Sequence, residues 1–336
     1  MKRVSRFIAP LLTACAITLT IANPPAAAKQ HKQIRLNLLS SFDSGIGEGG
    51  AEIAALDSAN HLLLVTNGAE NRIDIFPIFG GEAASFDISP YGGGVQRVAV
   101  KDGLAVAVAA ADPVVLPGKA VFFDPANPDA GGTAIVVGAL PDMVTFSYQG
   151  TKVLVANEGE PRCIDADGFG VTDPSQAINP EGTISIIDLV SGQPGPVTTV
   201  DFKAFNDSAT ELRSDGVRIG TWPSASVAED LEPEYITVAK NGKAAYVSLQ
   251  ENNAVAVIDL ESGGVLDIVG LERSGGIMSF DVTDPTAPEL LEWAQTGDIS
   301  PEGMQFIKQE DSPTGTPLLV VSYEVSGTTA IFEIVK

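Results

Sequence analysis

Short apolar runs alternate with polar turns along most of this chain. Leu62–Val65, Leu104–Ala109, Thr183–Ile187, Ala254–Ile258 and Pro317–Tyr323 are β-branched or small-apolar runs. Between such runs lie turn dipeptides such as Asn67-Gly68, Asp102-Gly103, Asn241-Gly242 and Gly263-Gly264. Runs of this length bounded by such turns predict β-strands. Several central runs are apolar at both parities, which predicts strands covered on both faces.

The runs fall into a repeat. Its fullest copy is Glu234–Leu260, in which a polar residue opens an apolar strand, a second strand ends in an acid-bearing turn, and a third strand ends in Asp-Leu. Other copies open at Glu52, Gln96, Asp142 and Glu302. Residues 52, 96 and 142 lie 44 and 46 apart, 142 and 234 lie 92 apart across a turn-rich insertion, and 234 and 302 lie 68 apart. A period near 45 with three or four strands per unit predicts an all-β, closed β-propeller of 5–7 blades, one of them shortened. A β-sandwich is the structural alternative. The domain is expected to span residues 34–336, with Arg162–Glu181 and Asn206–Asp230 as loops or lids. Ile34–Phe42 is expected to pair with Thr328–Ile334 and close the ring, removing exposed sheet edges.

The N-terminus predicts an export signal over residues 1–28. Lys2, Arg3 and Arg6 precede an apolar stretch, and Ala26-Ala27-Ala28 is a cleavage site. Leu12–Cys15 also fits a lipoprotein box, so lipidation at Cys15 is the competing process. No later segment has the ~20 apolar residues of a membrane helix. The expected location is exported: periplasmic, extracellular or surface-associated. Cleavage removes three basic residues and no acids, leaving 17 Lys plus Arg against 43 Asp plus Glu and a net charge of −26. A nucleic-acid backbone would be repelled and an anionic membrane surface is a poor partner, while cations and basic polymers are favoured. Cys163 is then the single cysteine, so no internal disulfide forms. With His31 and His61 alone remaining, a His-rich zinc site and a Ser-His-Asp triad are not expected.

The repeat also predicts where acids gather. In a propeller, the starts of the inner strands and the turns joining second to third strands share one face. Glu52, Gln96, Asp142, Glu234 and Glu302 occupy the first set. Asn67, Glu70, Glu158, Glu160, Glu251, Asn252 and Glu324 occupy the second. Crowded carboxylates repel unless protonated, paired or bound to a cation. Oxygen donors of this kind suit Ca²⁺. Glu52, Asp142, Glu158, Glu160, Glu234, Glu302 and Glu324 are therefore the candidate ligand or metal residues. Asp165, Asp167 and Asp173 form a secondary calcium candidate, although the EF-hand pattern there is incomplete and an Asx turn competes. Arg162 and Arg218 are placed near the mouth, either orienting an anion or pairing with these acids.

GGGVQRVAV (92–100), LPDMVTF (140–146), VANEGEP (155–161), EDLEPEYITV (229–238), LQENNAVAVIDL (249–260) and SPEGMQFI (300–307) resemble the choice-of-anchor I family, related to mesenchyme-specific cell-surface glycoproteins. The resemblance runs from about Leu36 to Lys336. It implies an exported YVTN- or quinoprotein-like propeller, attached to surfaces by varied devices or released. Some members carry an alkaline-phosphatase-like name, and no catalytic residue set transfers to this chain. Glu158, Glu160, Glu232, Glu234 and Glu302 match the family-like motifs. The chain departs from the pattern after Ile268, where a large family segment is missing and the unit at 271–294 lacks its two inner strands.

The expected function is binding of an extracellular protein, glycan or small ligand through an acidic, calcium-loaded face. The enzyme alternative is metal-dependent phosphoester hydrolysis, in which Ca²⁺ neutralises phosphate and a carboxylate acts as base. A purely structural adhesion module is the third reading.

Overall fold

A computed structural model describes residues 39–162, 177–220, 225–271, 276–281, 289–295, 301–323 and 328–335. The described chain is all-β apart from single turns and two short helices, and every strand pairing is antiparallel. Strands β1–β4 (Ala54–Asp57, Leu62–Asn67, Arg72–Pro77, Ala84–Asp87) form a first four-stranded meander. The second is β5–β8 (Gly94–Lys101, Leu104–Ala110, Pro117–Phe123, Thr133–Ala139). The third is β9–β12 (Pro141–Phe146, Lys152–Asn157, Thr183–Val190, Gln193–Val200). The fourth is β13–β16 (Pro233–Val238, Ala244–Leu249, Ala254–Asp259, Gly264–Gly270). A two-stranded sheet, β17–β18 (Gly276–Asp281, Glu289–Gln295), and a three-stranded one, β19–β21 (Pro301–Ile307, Leu318–Tyr323, Thr328–Glu333), follow. The two-stranded sheet occupies the unit that the sequence reads as shortened.

The first four sheets pack face to face in chain order, and their first strands are neighbours: β1 meets β5, β5 meets β9, and β9 meets β13. This sequential stacking about a common line of first strands is propeller-like. The core is a set of apolar layers between consecutive sheets, which explains the runs without alternation. On β6, Ala105, Ala107 and Ala109 face the first sheet's layer, while Val106 and Val108 face the third sheet's layer. On β10, Val153 and Val155 join the second sheet, while Leu154 and Ala156 join the fourth. Each of these side chains is fully buried, so both faces of the strand leave water, the main source of stabilisation here.

The insertion between the third and fourth sheets is a compact cover on their shared core. It holds α1 (Ala209–Ser214) and α2 (Val227–Asp230), with Phe202, Leu212, Val217 and Leu231 buried beneath it. Helix α2 is fixed by a capping box: Ser226 Oγ accepts from the Glu229 backbone N–H, and Glu229 returns a carboxylate to the Ser226 N–H. Gly182 N–H donates to the Ala228 carbonyl at 3.0 Å, and a Cβ at Gly182 would run into the Leu231 carbonyl oxygen. That close approach ties the third sheet to the segment leading into β13.

The expected ring-closing strand at 34–42 is not made by its described part. Residues 39–42 carry no strand, and the Phe42 ring instead stacks on Phe76 of β3 with centroids 4.7 Å apart. The described sheets thus form an open series, with β21 at the edge of the last one.

Candidate acidic site

The residues that open the repeat are set apart by a shared backbone device. Gln96 has no partner in the β5–β6 register, where Val95 opposes Ala109 and Arg97 already opposes Val108. Asp142 is skipped in the same way between Pro141 and Met143 on β9. On β13, Glu234 and Tyr235 share the space opposite Ser248, and on β19 Glu302 is passed over between Pro301 and Gly303. Each is a β-bulge, an extra residue that breaks the ladder. Glu52 and Ile53 likewise share Thr66: the Glu52 N–H donates to the Thr66 carbonyl at 3.1 Å and the Thr66 N–H donates to the Ile53 carbonyl at 2.9 Å, so all five repeat-opening positions carry the extra residue.

The bulges bring carboxylates together with those of the returning turns. Asp142, Glu160, Glu234 and Glu251 all act electrostatically on Glu158. Burial, reinforced by these four negative neighbours, pushes the Glu158 carboxyl up to about 8. Glu232 is pushed up to about 7 by burial and then by Glu251, Glu160 and Asp230, with Arg162 opposing. Glu234 rises to about 6 through burial, Glu251 and Asp142. Burial also raises Asp142, against the pull of Arg97. Glu234 Oε2 is buried without a hydrogen-bond partner. The site therefore holds more carboxyls than it neutralises, and near pH 7 it retains protons that solvent-exposed acids would have lost.

Basic groups reach its fringe only. Arg162 pairs with Glu160 at 2.5 Å. Arg97 lies over the ring of Tyr235, 4.8 Å from the centroid, and donates to the Tyr235 hydroxyl at 3.1 Å. This contact joins the first strands of the second and fourth sheets past the third, a cation–π pair across the line of first strands. Arg218 contributes its backbone, which exchanges hydrogen bonds with Asn252.

Asn252 holds the floor. Fully buried, its Oδ1 accepts from the Glu232 N–H at 3.0 Å, and its Nδ2 donates to the carbonyls of Arg218 at 3.0 Å and Asp230 at 2.6 Å. The side chain assigned by sequence to the mouth is thus a structural clamp that positions Glu232.

Asp142, Glu158, Glu160, Glu234 and Glu251 are brought together. Glu52 is not part of the group. It shares the extra-residue pairing, opposite Thr66, but is exposed and has its Oε2 where a Cβ at Gly68 would stand 2.9 Å away. Glu70 pairs with Arg72 at 3.4 Å, and Asn67 donates to Asp74 at 2.9 Å, so the first sheet spends its turn residues internally. Glu302 lies on β19 at its bulge. Glu324, Asp165, Asp167 and Asp173 lie outside the described residues. Among the described residues no three acidic, His or Cys side chains stand ready-spaced to hold a metal ion. Sequence reasoning missed Arg97, Tyr235 and Asp230. The first two were within reach of it, because each follows a repeat-opening residue (Gln96 or Glu234) by one position.

Residues 52–271 match the choice-of-anchor I domain. The chain belongs to the choice-of-anchor I domain family. The family match takes in the four four-stranded sheets and the acidic group, and it stops at Leu271, beside the point where the sequence departs from the family pattern. No curated protein matches the chain. Among solved structures, a periplasmic gluconolactonase from Pseudomonas aeruginosa is similar, with 11% identity, 84% of this chain and 81% of that chain covered, and a TM-score of 0.49. A functionally unknown protein from Desulfotomaculum acetoxidans has 13% identity, the same two coverages and a TM-score of 0.48. At these scores neither likeness bears on the activity of this family member.

Proposed function

We propose that this choice-of-anchor I protein is an exported, surface-associated propeller that receives a cationic ligand, or a cationic group of a protein or glycan partner, in its acidic mouth. The supporting observation is the cluster around Glu158, where burial and then four acidic neighbours push that carboxyl up to about 8, so that it keeps its proton near neutrality. A cation entering the mouth replaces those protons and removes the mutual repulsion. Binding should strengthen as pH rises from 6 to 9 and release protons, because the ionised form of each acid is the one that binds. Ca²⁺ is the inorganic form of this reading: its flexible shell of oxygen ligands suits Asp142, Glu158 and Glu234, which would have to draw inward to share it. The phosphoester-hydrolase alternative finds no support in the site or the comparisons.

Isothermal titration at pH 8 with CaCl₂ and, separately, spermidine tests the proposal. At least one should bind saturably, and Glu158→Gln with Glu234→Gln should weaken it at least tenfold while the circular dichroism spectrum is kept. Equal affinity in that double variant would reject the mouth as the site.

The reading also includes a closed ring and an export signal. Among the described residues the outer edge of β21 has no pairing strand, and closure of the ring would add one there. No helix among the described residues is long and apolar enough to cross a membrane. Deleting residues 34–42 should lower the melting temperature by several degrees or make the protein insoluble. An unchanged melting temperature would leave the series of sheets open.

A further inference from the structure

The acidic mouth lies at the starts of the first strands. At their other ends, the turns into the second strands form the opposite face, and four of these turns touch in series. Asn60 Nδ2, after β1, stands 3.3 Å from the place of a Cβ at Gly103, between β5 and β6. Lys101 ends β5, and its Cε stands 2.9 Å from the place of a Cβ at Gly150, between β9 and β10. Gln149 of that third turn donates from Nε2 to the Lys240 carbonyl, after β13, at 2.9 Å. The contacts set lysines from the second and fourth sheets around the third turn, whose tip carries Tyr148.

Tyr148 is 61% exposed. Lys101 Nζ lies 6.0 Å from its ring centroid and Lys240 Nζ 5.4 Å, so one ring face system draws two ammonium groups, each by a weak cation–π attraction. The chain has 43 acids against 20 Lys plus Arg, and Lys152 and Lys203 pair with Asp188 and Glu181. Lys101 and Lys240 pair with no acid among the described residues. Asp102 comes closest, its Oδ2 3.7 Å from the same point beside Gly150 without bonding to Lys101. Lys243, also exposed, follows in the fourth turn. Two like charges held at one ring repel each other, and an anion placed between them removes the repulsion.

The groups on offer narrow what fits. Two ammoniums and the phenol O–H are donors for an oxyanion. Lysine is a compact point charge on a flexible stem, so both ammoniums can swing from the ring to a shared carboxylate. The tyrosine ring then remains as a platform with an apolar body and a polar tip. Its complement is a ring with C–H groups on one face and hydroxyls at its rim, which is a pyranose. The large negative charge of the whole chain, with Asp102 close by, repels a polyanion and favours a ligand bearing a single charge.

We propose that Tyr148, Lys101 and Lys240 form a second binding site, on the face away from the mouth, for a singly charged acidic sugar of the uronate class. The sugar ring lies on Tyr148 and its carboxylate sits between the two ammoniums. The site is independent of the mouth, whose ligand is a cation.

The test is an NMR titration of the full chain labelled with ¹³C in its five tyrosines, with the Tyr148 ring signals assigned by their loss in Tyr148→Leu. The probe is methyl β-D-glucuronide. Methyl β-D-glucoside, which lacks the carboxylate, and acetate, which lacks the ring, are the controls. The glucuronide should shift Tyr148 saturably and leave Tyr235, at the mouth, unmoved. Each control should bind at least fivefold more weakly. Lys101→Gln with Lys240→Gln should weaken glucuronide binding at least tenfold and keep the melting temperature, since neither side chain is buried. No saturation of Tyr148 by the glucuronide, equal binding of either control, or unchanged affinity in the double lysine variant would overturn the proposal.

Discussion

Glu158→Gln should stabilise the protein at pH 9 and leave its stability nearly unchanged at pH 4. In the unfolded chain this carboxyl ionises near its ordinary value of 4.5; in the fold it ionises near 8. Across that window the folded state holds the proton more tightly, so raising the pH favours unfolding. The penalty is absent below about 4.5, grows through neutrality and is complete above about 8. A fully buried acid so displaced would forfeit up to about 5 kcal/mol. This one reaches solvent and shares its field with four other acids, so screening reduces the figure to about 1–3 kcal/mol. Glutamine keeps the shape and removes the charge, so the stabilisation should appear as a higher denaturation midpoint only on the alkaline side. A similar but smaller gain is expected for Glu234→Gln, whose carboxyl rises only to about 6. A Glu158→Gln variant equally stable with wild type from pH 4 to 9 would mean that the carboxyl is solvated like any surface acid.

Asn252→Ala should be the most damaging single change near the site. It strands the Glu232 N–H and the carbonyls of Arg218 and Asp230, all now satisfied by one side chain at 3.0, 3.0 and 2.6 Å. Each stranded group costs about 1–3 kcal/mol, and partial rehydration keeps the total near 3–5 kcal/mol. Asn252→Asp should be no better: the acceptor for Glu232 survives, but both donors are lost and a new charge faces two carbonyl oxygens. Equilibrium urea unfolding of the two variants measures this. Losses below 1 kcal/mol would show that water replaces the clamp freely.

Much of this architecture was legible in the chain because the repeat carries it. Strands such as β6 and β10, apolar at both parities, announced sheets packed on both faces, and the two layers that share them bear this reading out. The grouping of Asp142, Glu158, Glu160, Glu234 and Glu251 followed from equivalent positions in successive copies. The bulges at Glu52, Gln96, Asp142, Glu234 and Glu302 were not legible, since an extra residue in a ladder leaves no mark on composition. Glu52 opens the repeat like the others and shares the extra-residue pairing, but its carboxylate lies exposed beside Gly68 and stays outside the group. Asn252 misled for a related reason. An Asn in a turn usually caps its own loop in solvent, whereas here the insertion folds over it and supplies partners 20 to 34 residues away. Arg97 and Tyr235, 138 residues apart in the chain, meet where the first strands of successive sheets gather, a proximity that sequence spacing does not reveal.

Cation binding in the acidic mouth turns on the protonation of one carboxyl. A ¹³C-detected titration of the Glu158 side chain, run with and without saturating spermidine or Ca²⁺, measures it directly. An inflection near pH 8 in the free protein, displaced downward by at least one of the cations, is the predicted result. An inflection near 4.5 that neither cation moves would contradict the acidic mouth as a cation-receiving site.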